Sequence, residues 1–187
     1  MKILALDVAV TGCAVAFRDG ESGEKWLLSE ETERGQAERL IPMIEEVMAK
    51  AGRPLTGLNR IAVTRGPGSF TGVRIGLSTA RTLGMSLSIP VLGFSTLETI
   101  LEEYKDEPKL LAVLDTKRGD YYGQPLKGDA RIYTADEVEN WAGTLKKDCR
   151  PDLLLMAELT ERIAEENFVL YPPSPLYLRE AEVTLPS

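Results

Sequence analysis

The chain opens on short apolar runs separated by turn residues. Ile3-Leu-Ala-Leu6 reads as a buried strand and Cys13-Ala-Val-Ala-Phe17 as its neighbour, with residues 7–12 turning between them. Asp19-Gly20 and Glu21-Ser-Gly23 end the second strand, and Lys25 to Leu28 forms a third. The pattern then changes period. Ala37, Leu40, Ile41, Ile44, Val47, Met48 and Ala51 recur at helical spacing until Gly52-Arg53-Pro54 stops them. Pro42 inside that run predicts a kink, or a regular helix that begins only after it. Ile89-Pro-Val-Leu92 reads as a strand, and Ser95-Thr-Leu-Glu98 as a capping box opening a helix to about Tyr104. Lys105-Asp-Glu-Pro108, polar and ending in proline, marks a boundary between residues 1–104 and 105–187. Beyond it Leu110-Leu-Ala-Val-Leu-Asp115 repeats the opening design, since Leu4-Ala-Leu-Asp7 and Ala112-Val-Leu-Asp115 are each an apolar strand ending in aspartate. The pattern from Lys127 to Arg150 is polar, with a short helix at Asp136 to Trp141. Pro151 to Leu155 reads as a strand and Met156 to Asn167 as a helix.

The stretch Arg60 to Gly84 organises the rest. An apolar run through Arg65 breaks at Gly66-Pro67-Gly68 and resumes with helical spacing over Thr71 to Leu87: strand, tight loop, helix. Such a loop aims backbone N–H groups outward, and Ser69 or Thr71 caps the helix, so its first turn favours a phosphate or a carboxylate. A purely structural connection needs the same residues, and both readings stand. The loop lacks the Gly-Lys-Ser/Thr ending of a P-loop. Within the helix, Gly72, Gly76, Ala80 and Gly84 fall at every fourth position. Each glycine costs a helix about 1 kcal/mol relative to alanine, so another part of the structure must approach this stripe closely. That neighbour is either the chain's own sheet or a partner's helix.

Composition narrows the chemistry. With 187 residues, the chain can bury a core as one domain or two small lobes. Its net charge of −7 is the wrong sign for holding a phosphate backbone unaided, so any work on RNA requires a partner. There is no histidine, which removes Ser-His-Asp and Cys-His catalysis and every histidine-ligated metal site. Cys13 and Cys149 are isolated, without CxxC spacing, and indicate neither zinc nor a disulfide. An oxygen-ligand ion such as magnesium is the one metal left open; no catalytic residue, metal ligand or cofactor is nominated. No apolar run reaches the roughly 20 residues of a membrane span, and the amino-terminal run is too short for a signal peptide, so the expectation is a cytoplasmic protein.

Arg65-Gly-Pro-Gly-Ser-Phe-Thr-Gly-Val-Arg-Ile-Gly76 resembles the signature of the TsaB (YeaZ) family, relatives of the M22 glycoprotease-like proteins. Asp115-Thr-Lys-Arg-Gly-Asp-Tyr-Tyr122 resembles its second-lobe motif, and Pro172-Pro-Ser-Pro-Leu-Tyr-Leu-Arg179 its Pro-x-Tyr-Leu-Arg close. The resemblance implies an α/β actin/sugar kinase/Hsp70-like (ASKHA) fold of two ribonuclease H-like lobes, here with the second reduced. It also implies a non-catalytic accessory subunit of the machinery that makes N6-threonylcarbamoyladenosine (t6A) at position 37 of tRNA. The implied partners are the TsaD-type threonylcarbamoyl transferase and the TsaE-type ATPase, with tRNA met only through the complex and a homodimer when the chain is alone.

In the superfamily's kinases the aspartate equivalent to Asp7 lies near magnesium and phosphate; for Asp7 the alternative is a turn cap. Candidate anion or nucleotide contacts are therefore Asp7, Gly66, Gly68, Ser69, Thr71, Gly72 and Arg74. Lys117 and Arg118 either face an anion in the interlobe cleft or are solvated turn residues. The implied partner surface, formed by two helices side by side, draws on Leu40, Ile44, Gly72, Gly76, Ala80 and Gly84. One departure bears on mechanism: Gln36 stands where the family carries a histidine, and in the catalytic relative histidines here hold a metal. The competing class is an ATP-binding kinase or an M22-type peptidase of the same superfamily. The short second lobe and the missing histidines argue against it.

Overall fold

A computed structural model describes residues 1–10, 12–32 and 34–179. The first sheet is built from β1 (Lys2–Asp7), β2 (Cys13–Asp19), β3 (Lys25–Glu30), β4 (Arg60–Thr64) and β5 (Val91–Phe94). Its order is β3-β2-β1-β4-β5, antiparallel through the opening three strands and parallel from β1 to β4 to β5. Both faces are covered, which is why β1, β2 and β4 read as nearly unbroken apolar runs. Strand alternation sends Leu4, Leu6, Val15, Phe17, Ile61 and Val63 to one face. There they meet α1 (Gln36–Lys50) and α2 (Phe70–Leu87), two helices in contact with each other. Ile3, Ala5, Ala14, Ala16, Ala62, Leu92 and Phe94 take the other face. α1 runs as one helix through Pro42, which lies on its exposed side.

The second sheet holds β6 (Leu111–Asp115), β7 (Asp120–Pro125), β8 (Arg131–Thr134) and β9 (Leu145–Lys147), in the order β8-β7-β6-β9. β6, β7 and β8 are antiparallel and β9 pairs in parallel with β6, repeating the β3-β2-β1-β4 arrangement. Among the described residues no strand repeats β5. The duplicated design with a reduced second copy is thus present in the topology. α4 (Ala135–Glu139) carries a full capping box, with Thr134 and Glu137 each accepting from the other's backbone N–H.

The packing units do not follow a cut between residues 104 and 105. α3 (Thr96–Glu103) turns Leu97, Ile100 and Leu101 onto Leu110, Ala112 and Leu114, so it packs with the second sheet. α5 (Leu153–Arg162) comes back to the first sheet and sets Leu153, Met156 and Ala157 against its second face. Each sheet is covered by a helix from the other half of the sequence.

The end of the chain corrects the sequence expectation. Residues 153–155 are helical, because the Asp152 carboxylate accepts from the Leu154 and Leu155 N–H groups at 2.8 and 3.1 Å and starts the helix where a strand was expected. α5 then stops at Arg162, and a 3₁₀ turn (Glu165–Leu170) follows in place of a helix to Asn167. Arg60, 7% exposed, holds that end. Its guanidinium donates to the carbonyls of Thr160 and Ile163 at 2.8 and 2.7 Å and lies 4.7 Å from the centre of the Phe168 ring.

The small-residue stripe is also corrected. Gly72, Gly76, Ala80 and Gly84 are buried against the chain's own sheet, and Leu40 and Ile44 are buried beneath α1. None of these six is on an outward face. A side chain at Gly72 would run into the Val8 carbonyl oxygen, and one at Gly84 into Val91. At Gly76 the nearest atom to a new Cβ would be Val8 Cγ2 at 3.4 Å, close to ordinary contact. Opposite outcomes follow for the same substitution. Gly76→Ala is expected to be neutral or to stabilise by up to about 1 kcal/mol through helix propensity. Gly72→Ala is expected to destabilise by about 2 kcal/mol or more, because backbone must move. Urea unfolding of the two variants checks this; equal effects would contradict the packing described.

Candidate functional site

The C-terminal ends of β1 and β6 open on a shared cleft of about 830 Å³ between the two sheets. Its first-lobe wall comes from Ala9, Val10, Gly12, Thr32, Gln36 and the loop Gly68-Ser69-Phe70. Its second-lobe wall comes from Leu114 to Arg118, Tyr122 and Asp148, and Tyr177 and Arg179 complete it.

Asp7 stands at the base of the first wall but is turned inward. It is 3% exposed, and its Oδ1 accepts from the Ala9 N–H at 3.0 Å and from the Thr64 hydroxyl at 2.6 Å. This is the turn-capping role. Burial pushes its carboxyl above the ordinary value, against the hydrogen bond from Thr64 and that from Ala9, which act the other way.

The glycine loop is seated on the turn after β1. The Ser69 N–H donates to the Ala9 carbonyl at 2.7 Å, and Ser69 Oγ accepts from the Gly72 N–H at 3.1 Å as the cap of α2. Gly68 and Gly72 are side-chain-free where the carbonyls of Ala9 and Val8 press in. Gly66 (φ +99°) accepts from the Thr96 N–H at 2.9 Å through its carbonyl, and a Cβ there would be 2.7 Å from the Leu176 oxygen. Thr71 is exposed, and Arg74 stands behind the cleft wall, bracing two residues that line it: its Nε donates to the Tyr177 hydroxyl at 3.2 Å and its guanidinium lies 3.8 Å from the Phe70 ring centre. Of the anion or nucleotide contacts nominated around Asp7 and the glycine loop, Gly68 and Ser69 line the cleft.

The opposite wall carries the charge. Lys117 and Arg118 do face the cleft, but Lys117 pairs with Asp115, its Nζ 3.2 Å from Oδ2 and its N–H donating to Oδ1 at 2.6 Å. The Lys117 backbone N–H, ahead of the Lys117 ammonium, holds the Asp115 carboxyl below its ordinary value. Arg179 pairs with Asp120, whose carboxyl is lowered first by the Thr116 hydroxyl and then by Arg179. This wall can bind an anionic group through cations that are already partly neutralised. Among the described residues no three carboxylate or thiol side chains converge as metal ligands.

Tyr177 and Arg179 reach the cleft on a strap that sequence reasoning did not assign to it. Residues 171–179 run along the ends of β4 and β5: the Gly93 N–H donates to the Tyr171 carbonyl at 2.9 Å and the Leu176 N–H to the Arg65 carbonyl at 2.7 Å. Tyr171 packs on Phe94 and Tyr177 on Phe70, with ring centres 5.1 and 5.3 Å apart. The prolines at 172, 173 and 175 were the available signal, since they keep such a segment extended.

Residues 28–148 match the family model described as TsaD: tRNA N6-adenosine threonylcarbamoyltransferase. The chain is 35% identical over 144 residues to the tRNA threonylcarbamoyladenosine biosynthesis protein TsaB of Escherichia coli (strain K12), covering 74% of this chain and 61% of that protein. To the TsaB of Bacillus subtilis (strain 168) it is 30% identical over 168 residues, covering 83% and 70%. The match to the E. coli relative thus spans less than two thirds of its length. The structure of YeaZ from Pseudomonas aeruginosa superposes with a TM-score of 0.74 at 25% identity, covering 95% of this chain and 99% of that one.

The raised pKa of Asp7 sets a pH dependence. Just above the ordinary carboxylate range the folded chain retains a proton that the unfolded chain has lost. The contribution of Asp7 to stability is therefore greatest below that range and falls as pH rises through the raised pKa. Asp7→Asn, which keeps the Oδ1 acceptor, is expected to remove this decline, seen as a smaller stability difference between pH 4 and pH 7 in urea unfolding. Asp7→Ala orphans the Ala9 N–H and the Thr64 hydroxyl and is expected to cost about 1–3 kcal/mol.

Proposed function

The chain belongs to the TsaB (YeaZ) family, and from that premise we propose that it is a cytoplasmic, non-catalytic accessory subunit of tRNA threonylcarbamoyladenosine synthesis. In this reading it binds and supports a TsaD-type threonylcarbamoyl transferase. The TsaE-type ATPase is a further partner, and tRNA is met only through the complex. The observation that carries the reading is where hydrogen-bonding capacity is spent. Asp7 is engaged by the Ala9 N–H and the Thr64 hydroxyl, and Ser69 by the Ala9 carbonyl and the Gly72 N–H at the start of α2, so groups that a superfamily enzyme would turn on a ligand serve the fold.

The outward faces of α1 and α2 are the proposed docking surface. Ile41 is 44% exposed and Met85 79% exposed, on two helices that lie together on one face of the sheet. Without the transferase, these apolar side chains are the proposed basis of self-association. No helix among the described residues is long and apolar enough to cross a membrane.

Ile41→Glu and Met85→Glu place a charge on exposed positions and are expected to leave the fold intact. Each should weaken co-purification with the transferase subunit by roughly tenfold or more, since burying either side chain is worth about 1.5–3 kcal/mol. A Glu102→Ala control on α3 should bind normally. Binding of both variants at wild-type strength would overturn the docking surface. Threonylcarbamoyl transfer to tRNA by this chain alone would overturn the accessory role.

A further inference from the structure

A second cavity, of about 620 Å³, lies at the far end of the second sheet from the interlobe cleft, where the connections before β6, after β7 and after α4 meet. Its lining mixes apolar and cationic side chains. Pro125, Leu126 and Trp141 supply apolar surface, and Lys105, Lys109 and Lys127 supply three ammonium groups against the single carboxylate of Glu107. The lining itself is thus net positive in a chain of net charge −7.

The lysines are not equivalent. Lys105 is paired with Glu102 at 2.7 Å. Among the described residues, Lys109 and Lys127 have no ion pair, whereas Lys2, Lys50 and Lys117 each pair with a carboxylate and Lys147 donates to a tyrosine hydroxyl. The backbone at Lys109 is also held in place. Its φ of +47° is unusual for a residue with a side chain, and its carbonyl accepts from the Trp141 indole N–H at 2.8 Å. Two neighbouring backbone bonds, Thr144 N–H to the Pro108 carbonyl at 3.2 Å and Leu126 N–H to the Leu110 carbonyl at 2.9 Å, tie the three connections together. Gly143 is required there, because a Cβ would meet the Lys109 backbone.

We propose that this cavity is a binding site for a small amphipathic carboxylate: an apolar body seated against Trp141, Pro125 and Leu126, with its anionic end between the ammonium groups of Lys109 and Lys127. The size falls within the range of small-molecule sites, and an apolar floor with a few convergent polar groups is how such sites fix orientation. A nucleic-acid strand is disfavoured by the acidic residues Glu102, Glu103, Asp106 and Glu107 beside the lysines. The site is separate from the cleft and from α1 and α2, so it is independent of the accessory role.

The test is titration of the isotopically labelled full chain with cyclohexylacetate, followed by amide and indole resonances, with 2-cyclohexylethanol as the neutral analogue. Saturable shifts are expected at the Trp141 indole N–H and at the Lys109 and Lys127 amides. Affinity for the carboxylate should fall roughly fivefold in Lys127→Met and further in Lys109→Met/Lys127→Met, and the alcohol should bind the wild type as weakly as the double variant binds the acid. Lys127 lies in an exposed turn, so its single variant keeps the test decisive should the double variant misfold. The proposal is overturned by an absence of shifts at these resonances, by equal affinity for acid and alcohol, by unchanged affinity in Lys127→Met, or by shifts confined to Lys117 and Arg118 in the cleft.

Discussion

The contact on which the first lobe depends is backbone against backbone. The carbonyls of Val8 and Ala9, at the exit of β1, press into the first turn of α2 at Gly72 and into the loop before it at Gly68, where there is no side chain, and the Ser69 N–H closes the junction on Ala9. This fixes where α2 starts and how deeply it lies on the sheet. Gly76 and Gly84 then rest over Val8, Val63 and Val91. The lower helix propensity of three glycines is offset by close packing against the strands, which also turns the larger side chains of α2 sideways and outward.

The two lobes are held by exchange as well as by contact. α3 covers the second sheet, α5 covers the first, and the strap of residues 171–179 crosses from Phe94 to Asp120. Arg60 secures the exchange from within the first sheet by binding the last carbonyls of α5. A guanidinium suits the position because it satisfies two carbonyls at once while its plane lies near an aromatic ring. Neither lobe can be cut out of the sequence as a continuous piece with its core intact.

These constraints shape what the cleft can do. Asp7 and the glycine loop, the features most suggestive of ligand chemistry, are both engaged with the turn after β1, Asp7 through the Ala9 N–H and Ser69 through the Ala9 carbonyl. The cleft's cations come from the second lobe and the strap, and Asp115 and Asp120 already partly neutralise Lys117 and Arg179. The outward sides of α1 and α2 carry exposed apolar side chains, Ile41 and Met85, and these are the surface on which the proposed docking rests.

Local pattern was enough to determine a good deal: the three opening strands, the strand-loop-helix around Gly66 to Gly72, the amphipathic register of α1, and the repeated strand-aspartate design of β1 and β6. Each depends on residues close in sequence, where periodicity and capping act directly. The spacing of Gly72, Gly76, Ala80 and Gly84 likewise required some close neighbour. Its identity was a tertiary matter, because one small-residue stripe fits a sheet as well as a partner helix, and only β1, β4 and β5 lying beneath α2 decided it. The same holds for 153–155, an apolar run as compatible with strand as with helix until the Asp152 cap and the open second face of the first sheet made it a helix. Tyr177 and Arg179 enter the cleft through pairings with residues about a hundred and about sixty positions away, a distance at which no local pattern carries information.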